Sequence, residues 1–269
     1  MEYKELGRTG VQVPVLGQGT YGSGFSFGGS LSNGVAALRR GIDLGMTLID
    51  TAESYGAGRS EEIVGEAIKG LRDQIFLATK VSPENLSYDR VLRSAEKSLQ
   101  RLGTRYIDLY QIHFPNPWVP IQETMQAMEH LVGEGKIRYV GVSNFSVKET
   151  REAQQALSET TLASNQVEYS LLERSIERDL LPYCQQEKIT IIAYTPIARG
   201  YILQGEIGRR LREIGGRYGK TPMQVALNWL ISKEGVIAIP KAARIEHVDE
   251  NAGAVGWHLT EEIELPVSS

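Results

Sequence analysis

The sequence predicts an α/β fold, a single (β/α)8 TIM barrel in which eight parallel strands alternate with helices. Eight short apolar runs recur along the chain, most of them about 30 residues apart, which is the size of one strand-helix-strand step. The segments between them carry apolar residues at helical spacing, such as Val91, Leu92, Ala95 and Leu99. The length of 269 residues is also typical of such barrels. Strands that are apolar throughout belong to parallel sheets covered on both faces, and eight repeats are enough to close a barrel.

Two short segments precede the barrel strands and predict an N-terminal β-hairpin. Residues 4–6 and 11–13 alternate in polarity on either side of the turn-forming residues 7–10. We expect this hairpin to act as a lid or a plug. The barrel strands themselves are predicted at residues 16–19, 48–51, 75–80, 107–112, 137–143, 163–168, 190–194 and 236–239.

The segment between the seventh and eighth barrel strands is longer than the others and predicts one extra helix. It holds two helical patterns, at residues 206–218 and 221–232. Thr221 and Pro222 suit the N-cap and the first position of the second helix. Because no low-complexity tract, charge block or Pro/Ser-rich linker interrupts the chain, residues 1–269 are predicted to form one domain.

The composition is that of an ordinary globular protein and argues against several kinds of partner. Hydrophobic residues make up 41% of the chain, and the formal net charge of −4 does not suit a nucleic-acid partner. No run approaches the roughly 20 apolar residues of a membrane span, and no leader peptide is recognisable at the start. Cys184 is the only cysteine, so no intrachain disulfide or cysteine-based metal site is expected, and a cytoplasmic location fits best.

A glycine-rich segment, residues 17–24, begins within the first barrel strand, continues beyond it and invites comparison with a dinucleotide-binding turn. Asp50 would then be the acid that binds the ribose. That fingerprint opens straight into a helix, whereas helical spacing here begins only near residue 33. We therefore interpret the segment as a long loop. Its glycines either only permit unusual backbone angles, or the loop forms a pocket wall through Tyr21, Phe25 and Phe27.

Polar residues follow most of the predicted strands, at the end where such a barrel has its active site. Asp50 and Tyr55 follow the second strand, Lys80 ends the third, and His113 follows the fourth. Any one of them taken singly is more often structural than catalytic. An aspartate and a lysine buried near each other are costly unless they pair, however, and such pairs mark functional sites. We therefore expect these four side chains to share one site.

Seven segments resemble the successive motifs of the aldo-keto reductases, in the right order and over nearly the whole chain. They are LIDTAESYG, ATKV, YIDLYQIHFP, GVSNF, NQVEYSLL, AYTPIARG and IPKA. The resemblance implies an NADP-dependent oxidoreductase that reduces aldehydes and ketones to alcohols by hydride transfer from NADPH. It implies Tyr55 as the general acid and Lys80 as its electrostatic partner. It also implies Asp50 as the carboxylate that keeps Lys80 charged, and His113 as a donor that orients the carbonyl oxygen.

Proton donation by Tyr55 depends on its pKa, which is about 10 for an unperturbed tyrosine. An ammonium about 4 Å away is worth up to about 4 kcal/mol at an effective dielectric of 20. We therefore expect Lys80 to lower the pKa of Tyr55 by about one or two units, even though desolvation opposes this. Two alternatives stay open: Asp50 as the N-cap of the next helix, and Lys80 as the Schiff-base nucleophile of an aldolase.

The resemblance also implies a cofactor site along the strand ends. Tyr194 would lie flat on the nicotinamide ring, and Ser143, Asn144 and Gln166 would bind its carboxamide. The implied cofactor-binding set is Gly19, Thr20, Tyr21, Asp50, Ser143, Asn144, Gln166, Tyr194, Thr195, Pro196, Ile197, Ile239, Pro240, Lys241, Ala242, Arg244, His247, Glu250 and Asn251.

Within this set, Lys241 and Arg244 are the candidates for the 2′-phosphate, near the start of a helix whose amide donors also favour phosphate. The alternative for both is a solvated basic surface. Ala242 stands where the family often has Ser or Thr, and His247 where it often has Arg. NADPH is therefore the expected cofactor, with NADH use possible.

We expect an apolar, aromatic substrate pocket lined by Tyr21, Phe25, Phe27, Phe114 and Trp118. The expected partner is a small-molecule carbonyl compound, with no nucleic acid, membrane or metal involved. The chain is expected to be a monomer or a weak homo-oligomer. The main non-enzyme alternative is a regulatory or redox-sensing barrel that binds NADP(H) while it controls a partner.

Overall fold

The barrel strands follow the predicted order, with a hairpin in front of them. The computed structural model describes residues 1–22, 24–25 and 30–260. The hairpin pairs β1 (Tyr3–Glu5) with β2 (Gln12–Pro14). The barrel strands are β3 (Gln18–Gly19), β4 (Leu48–Asp50), β5 (Phe76–Val81), β6 (Ile107–Ile112), β7 (Ile137–Ser143), β8 (Leu162–Glu168), β9 (Thr190–Tyr194) and β10 (Val236–Ala238).

All eight barrel strands run parallel and pair in chain order, from β3 beside β4 to β9 beside β10. The two ends of the sheet meet where the chain just before β3 runs alongside β10. Gly17 N donates to Ala238 O at 2.8 Å, and Ala238 N donates to Val15 O at 3.0 Å. Gly19 N extends this seam with a bond of 3.1 Å to Pro240 O. These bonds close the sheet, which confirms the predicted (β/α)8 class.

The helices cover the outside of the barrel. They are α1 (Leu31–Asp43), α2 (Arg59–Ala67), α3 (Tyr88–Leu102), α4 (Ile121–Gly133), α5 (Val147–Gln155), α6 (Leu180–Glu187), α7 (Gly205–Tyr218), α8 (Pro222–Ile231) and α9 (Ile245–Ala252). Both α7 and α8 lie between the seventh and eighth barrel strands, so the predicted extra helix is confirmed. In the described part of the chain, no helix combines the length and the apolar composition that a membrane span requires.

Local sequence explains where these helices begin and end. On α3, Val91, Ala95 and Leu99 recur every four residues and are buried as one stripe against the barrel. Gly103 ends this helix with a φ of 62°, a left-handed conformation that glycine adopts at little cost. At the start of α8, Thr221 accepts a bond from the Gln224 backbone, whose side chain bonds back to Thr221.

The hairpin plugs the amino end of the barrel. Leu6 and Val13 are fully buried among the side chains that fill the barrel interior. The tip of the hairpin lies so close to β8 that a Cβ atom on Gly7 would be 2.7 Å from Ala163 O. The Lys4 ammonium donates to three backbone carbonyl oxygens at and beyond the end of α8, at 2.5, 2.6 and 2.8 Å. The hairpin is therefore a plug, and the opposite end of the barrel is left for a binding site.

Candidate active site

A cavity of about 740 Å³ opens at the carboxyl ends of the barrel strands. Its walls are formed by strand ends and by the loops that follow them. The lining residues are Gly19, Thr20, Tyr21, Gly22, Asp50, Ser54, Tyr55, His113, Phe114, Ser143, Asn144, Gln166, Tyr194, Thr195, Pro196, Ile197, Arg199, Ile239 and Lys241. This is the end of a parallel barrel where active sites are found.

The floor of the cavity holds a buried ion pair formed by two neighbouring strands. Asp50 ends β4 and Lys80 lies on β5, and because these strands pair in parallel both side chains reach the same end of the barrel. Lys80 Nζ is fully buried and donates to Asp50 Oδ1 at 2.5 Å, to Thr51 O at 2.9 Å and to Tyr55 OH at 3.4 Å. Three acceptors match the three donors of an ammonium group.

The pKa of Lys80 indicates that its ammonium stays charged. Burial lowers this pKa, but the Asp50 carboxylate and the Tyr55 phenol together raise it by more, so that it lies above the ordinary value for lysine. A protonated amine has no lone pair with which to attack a carbonyl, which argues against the Schiff-base alternative. The N-cap alternative for Asp50 is wrong, because α2 begins at Arg59 with Gly58 at its N-cap.

Tyr55 approaches the ion pair from a tight turn, Tyr55–Gly58, that follows β4. The last three residues of this turn have positive φ angles of 57°, 52° and 93°. Gly58 is required for two reasons, because a Cβ atom there would be strained and would also lie 2.6 Å from Cδ of Arg101. Arg101 Nε in turn donates to the buried carboxylate of Glu61 at 2.6 Å. The turn is thereby held against α2 and α3, with the Tyr55 hydroxyl beside Lys80.

The pKa of Tyr55 does not follow the expectation from the sequence. Lys80 was expected to lower it, whereas this pKa lies above the ordinary value for tyrosine. Burial of the phenol raises the pKa by more than the Lys80 cation lowers it, and the Asp50 carboxylate adds to the rise. Asp50 also sits 2.5 Å from Lys80 Nζ and compensates much of its charge. The Tyr55 hydroxyl therefore keeps its proton at neutral pH, as a proton donor must.

His113 follows β6 and packs edge-on against Tyr55, with ring centroids 5.5 Å apart. Burial, together with the positive charge of Lys80, lowers the pKa of His113 to about 3, so the ring is neutral near pH 7. Its Nδ1 lies 3.3 Å from Oγ of Ser54. If the Ser54 hydroxyl donates to Nδ1, the ring proton resides on Nε2. A neutral ring of this tautomer is a hydrogen-bond donor without being an acid.

We expect His113 to show no titration near pH 6.5, where an unperturbed histidine titrates. NMR of the imidazole resonances as a function of pH measures this, with the His113 signal assigned from a His113→Gln variant. A titration midpoint near pH 6.5 would show that the His113 ring is not buried beside the Lys80 cation as described. Because the unfolded chain binds this proton at higher pH than the folded protein, this residue should destabilise the fold as pH falls from about 6.5 towards 3.

The residues expected to hold a nicotinamide form one hydrogen-bonded row beside the ion pair. Tyr194 OH donates to Asn144 Oδ1 at 2.9 Å, and Asn144 Nδ2 donates to Ser143 Oγ at 3.0 Å. Ser143 Oγ donates to the backbone oxygen of Gln166 at 2.8 Å. Asn144 adopts a φ of 62°, a conformation that asparagine tolerates better than most residues. The structure brings these residues together, and their contact with a cofactor stays a prediction.

The residues expected to bind the phosphate and the adenine lie at the edge of the cavity or outside its lining. Lys241 lines the cavity, and burial lowers the pKa of its ammonium. Arg244 is exposed at the N-cap of α9 and contacts the His247 ring closely. The implied cofactor residues outside the lining are Pro240, Ala242, Arg244, His247, Glu250 and Asn251.

The predicted aromatic wall for the substrate is only partly present. Tyr21 and Phe114 line the cavity. The prediction for Phe25 is wrong, because its side chain is fully buried in the core, where its ring packs beside Gly34 of α1. Trp118 is 89% exposed and lies outside the cavity lining. Burial in the core removes a large apolar ring from water, which explains why Phe25 turns away from the cavity.

Three lining residues and one residue behind the lining were not identified from the sequence. Ser54 and Arg199 lie within the motifs LIDTAESYG and AYTPIARG, and Gly22 lies in the glycine-rich loop. Gln111 is buried behind Asp50, and its signal is a lone amide in an otherwise apolar part of β6. Phe27, predicted for the substrate pocket, lies outside the described residues.

Known proteins resemble this chain both in sequence and in structure. Residues 16–263 match the family model described as the aldo/keto reductase family. Methylglyoxal reductase YeaE of Escherichia coli is 43% identical over 93% of this chain and 88% of its own length. The structure of the thermostable aldo-keto reductase Tm1743 with the inhibitor epalrestat has a TM-score of 0.92 and 45% identity, over 97% of this chain and 96% of that one. An aldo-keto reductase from Klebsiella pneumoniae in complex with NADPH has a TM-score of 0.89 and 42% identity, over 97% and 92% of the two chains.

Proposed function

The chain belongs to the aldo/keto reductase family, and we propose that it reduces aldehydes and ketones to alcohols with NADPH. The observation that supports this most directly is the protonated hydroxyl of Tyr55, held 3.4 Å from the Lys80 ammonium at the floor of an open cavity. A proton donor next to a permanent cation suits a reaction in which negative charge develops on an oxygen atom.

Four side chains have separate roles in the proposed reaction. The Tyr55 hydroxyl and the His113 ring donate to the carbonyl oxygen, which stabilises the charge that develops on it. When bound, NADPH supplies the hydride that adds to the carbonyl carbon. Tyr55 gives its proton to the oxygen to complete the alcohol, and the Lys80 ammonium stabilises the phenolate that remains until solvent returns a proton. Asp50 keeps Lys80 charged.

The cavity residues fit a nicotinamide dinucleotide. Tyr194 is held by Asn144 at the cavity wall, where its ring face can support a flat heterocycle, and Gln166 presents an amide beside it. Lys241 and Arg244 supply positive charge for the 2′-phosphate. The bound NADPH of the Klebsiella relative supports the choice of this cofactor. Ala242 has no side-chain hydroxyl with which to bind the 2′-phosphate. The proposal therefore includes the use of NADH as well as NADPH.

The 2′-phosphate assignment makes a prediction about the two cofactors. Lys241→Met is expected to weaken NADP+ binding by about ten- to a hundredfold, because a hydrogen bond to a charged group contributes about 1.5–3 kcal/mol. NAD+ lacks the 2′-phosphate and should lose little affinity. Isothermal titration calorimetry measures both, with Lys148→Met on the exposed face of α5 as the matched control. Equal losses for NADP+ and NAD+ would place Lys241 away from the 2′-phosphate.

Short aldehydes with a second oxygen beside the carbonyl, such as methylglyoxal, are the substrates we favour. The E. coli relative is named a methylglyoxal reductase, and, of the aromatic residues that we predicted for the substrate pocket, the described part of the chain brings Tyr21 and Phe114 to the cavity and leaves Phe25 and Trp118 out of its lining. Such a cavity places few steric demands on a small molecule.

We also propose a cytoplasmic location, since the buried Cys184 suits a reducing compartment, and a monomeric or weakly associating chain.

Loss of NADPH absorbance in the presence of carbonyl compounds tests the function. The panel should contain methylglyoxal, short aliphatic aldehydes, ketones and aldose sugars, each measured with NADPH and with NADH. We expect reduction of the small aldehydes, with NADPH preferred. Tight binding of NADPH without hydride transfer to any of these compounds would instead support the regulatory barrel and overturn the proposal.

A further inference from the structure

The second carboxylate oxygen of Asp50 is held by two glutamines on other strands. While Oδ1 bonds to Lys80, Oδ2 accepts from Gln166 Nε2 at 2.8 Å and from Gln111 Nε2 at 3.1 Å. Gln111 is fully buried and Gln166 is 1% exposed. Asp50 is therefore the centre of a polar layer that joins β4, β5, β6 and β8. The proposed mechanism uses Asp50, Lys80 and Gln166 but has so far assigned nothing to Gln111.

The hydrogen bonds within this layer determine which way the Gln166 amide faces. Its Nε2 donates to Asp50 Oδ2 and also to Gln111 Oε1, at 3.3 Å, so both amide hydrogens have acceptors. Turning this amide over would set its carbonyl oxygen against the Asp50 carboxylate and against Gln111 Oε1, with no donor among the three. In the described part of the chain no donor bonds to Gln166 Oε1, and Gln166 lines the cavity. The polar atom it offers to a ligand is therefore an acceptor.

The packing around Gln111 shows that the barrel makes room for an amide at this position. Gln111 on β6 pairs in register with Gly141 on β7. A Cβ atom on Gly141 would lie 2.9 Å from Cγ of Gln111, so any larger residue there would displace the glutamine side chain. Since a buried polar side chain is costly unless it is fully bonded, an amide retained in this layer implies a specific partner arrangement.

We propose that Gln111 is a positioning residue that holds Gln166 with its carbonyl oxygen towards the nicotinamide carboxamide, and that makes this subsite selective for a ligand with an N–H donor. Through Asp50, the same amide layer connects the carboxamide subsite to the Lys80–Tyr55 pair. The inference rests on the proposed function, because it takes the nicotinamide to be the ligand at Gln166.

Two cofactor analogues separate a donor requirement from an acceptor requirement. The 3-acetylpyridine analogue of NADP+ carries a methyl ketone and has no N–H, whereas the thionicotinamide analogue keeps the NH2 group and replaces the carbonyl oxygen by the weaker acceptor sulfur. We expect the native protein to bind NADP+ and the thionicotinamide analogue similarly, and the acetylpyridine analogue about tenfold more weakly, the loss of about one hydrogen bond. Isothermal titration calorimetry measures all three without turnover. The reverse order would mean that Gln166 faces the cavity with its NH2 group, and would overturn the proposal.

Gln111→Met, an unbranched replacement of similar length, tests the positioning role. We expect the preference for NADP+ over the acetylpyridine analogue to fall by about threefold or more, because Gln166 loses one of the two acceptors that orient it. Gln18→Met is the matched control, since that buried amide bonds Leu38 O and Met46 O on the helix side of β3. An unchanged preference in Gln111→Met, or an equal loss for both ligands, would show that Gln111 only fills space.

Gln111→Glu keeps the shape of the side chain and serves as the conservative variant. A carboxyl oxygen at this position can still accept from Gln166 Nε2, as Oε1 of the native amide does, whether or not the carboxyl group is ionised. We therefore expect Gln111→Glu to keep the preference for NADP+ over the acetylpyridine analogue that Gln111→Met loses. An equal loss of this preference in both variants would mean that the acceptor at position 111 does not orient Gln166, and would contradict the proposal.

The two proposals can fail separately. A native protein that binds no NADP+ would fail the proposed function. A native protein that binds NADP+ and reduces aldehydes, but that binds the acetylpyridine analogue equally well, would fail only the inference about Gln111.

Discussion

Replacing Tyr55 by phenylalanine is expected to lower kcat for aldehyde reduction by about 10²–10⁴-fold, the usual contribution of a positioned general acid. The change removes only the hydroxyl that lies 3.4 Å from Lys80 Nζ. The ring itself, with its edge contacts to Tyr21 and His113, is kept, so NADP+ affinity should change little. Single-turnover oxidation of bound NADPH by an aldehyde, together with calorimetric binding of NADP+, separates the two effects.

Tyr3→Phe is the matched control for this variant. Tyr3 lies on β1 of the hairpin, at the opposite end of the barrel from the cavity, and its side chain is 52% exposed. Loss of its hydroxyl should leave the rate close to that of the native protein. Full activity in Tyr55→Phe would assign proton donation to another group. A comparable loss in both variants would mean that the effect does not come from the hydroxyl at position 55.

Replacing Lys80 by methionine is expected to remove both activity and a large part of the stability. The variant leaves the Asp50 carboxylate buried without its cation, and the amides of Gln111 and Gln166 are the side-chain donors that remain to it among the described residues. Breaking one partner of a buried ion pair costs about 3–5 kcal/mol, which is a large fraction of the free energy of unfolding of an ordinary domain. Denaturant unfolding followed by circular dichroism measures the stability, and NADPH oxidation measures the activity.

The double variant Asp50→Asn with Lys80→Met distinguishes the two roles of the pair. It removes both charges, so the penalty of an unpaired buried ion disappears and stability should return towards the native value. Activity should not return, because no cation is left to stabilise the phenolate of Tyr55. A single variant Lys80→Met as stable as the native protein would contradict the description of Asp50 as a buried carboxylate whose charge Lys80 compensates.

The regular elements of this fold could be predicted from local patterns. The helix α8 begins at Pro222 as its sequence predicts, because an N-cap threonine followed by a proline restricts the backbone without help from the rest of the molecule. The strands could be located because a strand buried on both faces is apolar along its whole length. The positions of Asp50 and Lys80 at the ends of adjacent strands followed from the same register, and so did their pairing.

The errors concern packing and electrostatic interactions that local sequence patterns do not contain. Phe25 was expected at the cavity, but a glycine on α1 leaves room for its ring in the core. The pKa of Tyr55 was expected to fall, but burial outweighs a cation whose charge Asp50 already compensates. Gln111 was overlooked because its importance comes from a carboxylate 61 positions earlier in the chain.

Residue order alone was thus enough to predict the barrel, the N-terminal hairpin, the extra helix and the four residues that lie around the ion pair. Each of these depends on short-range periodicity or on a contiguous motif. Which oxygen of Asp50 meets which donor, whether Tyr55 and His113 keep or lose a proton, whether the hairpin is a lid or a plug, and which way the Gln166 amide faces were decided only by the closed barrel. These properties depend on desolvation and on hydrogen bonds between strands, and both exist only after the sheet has brought the ends of β4, β5, β6 and β8 together.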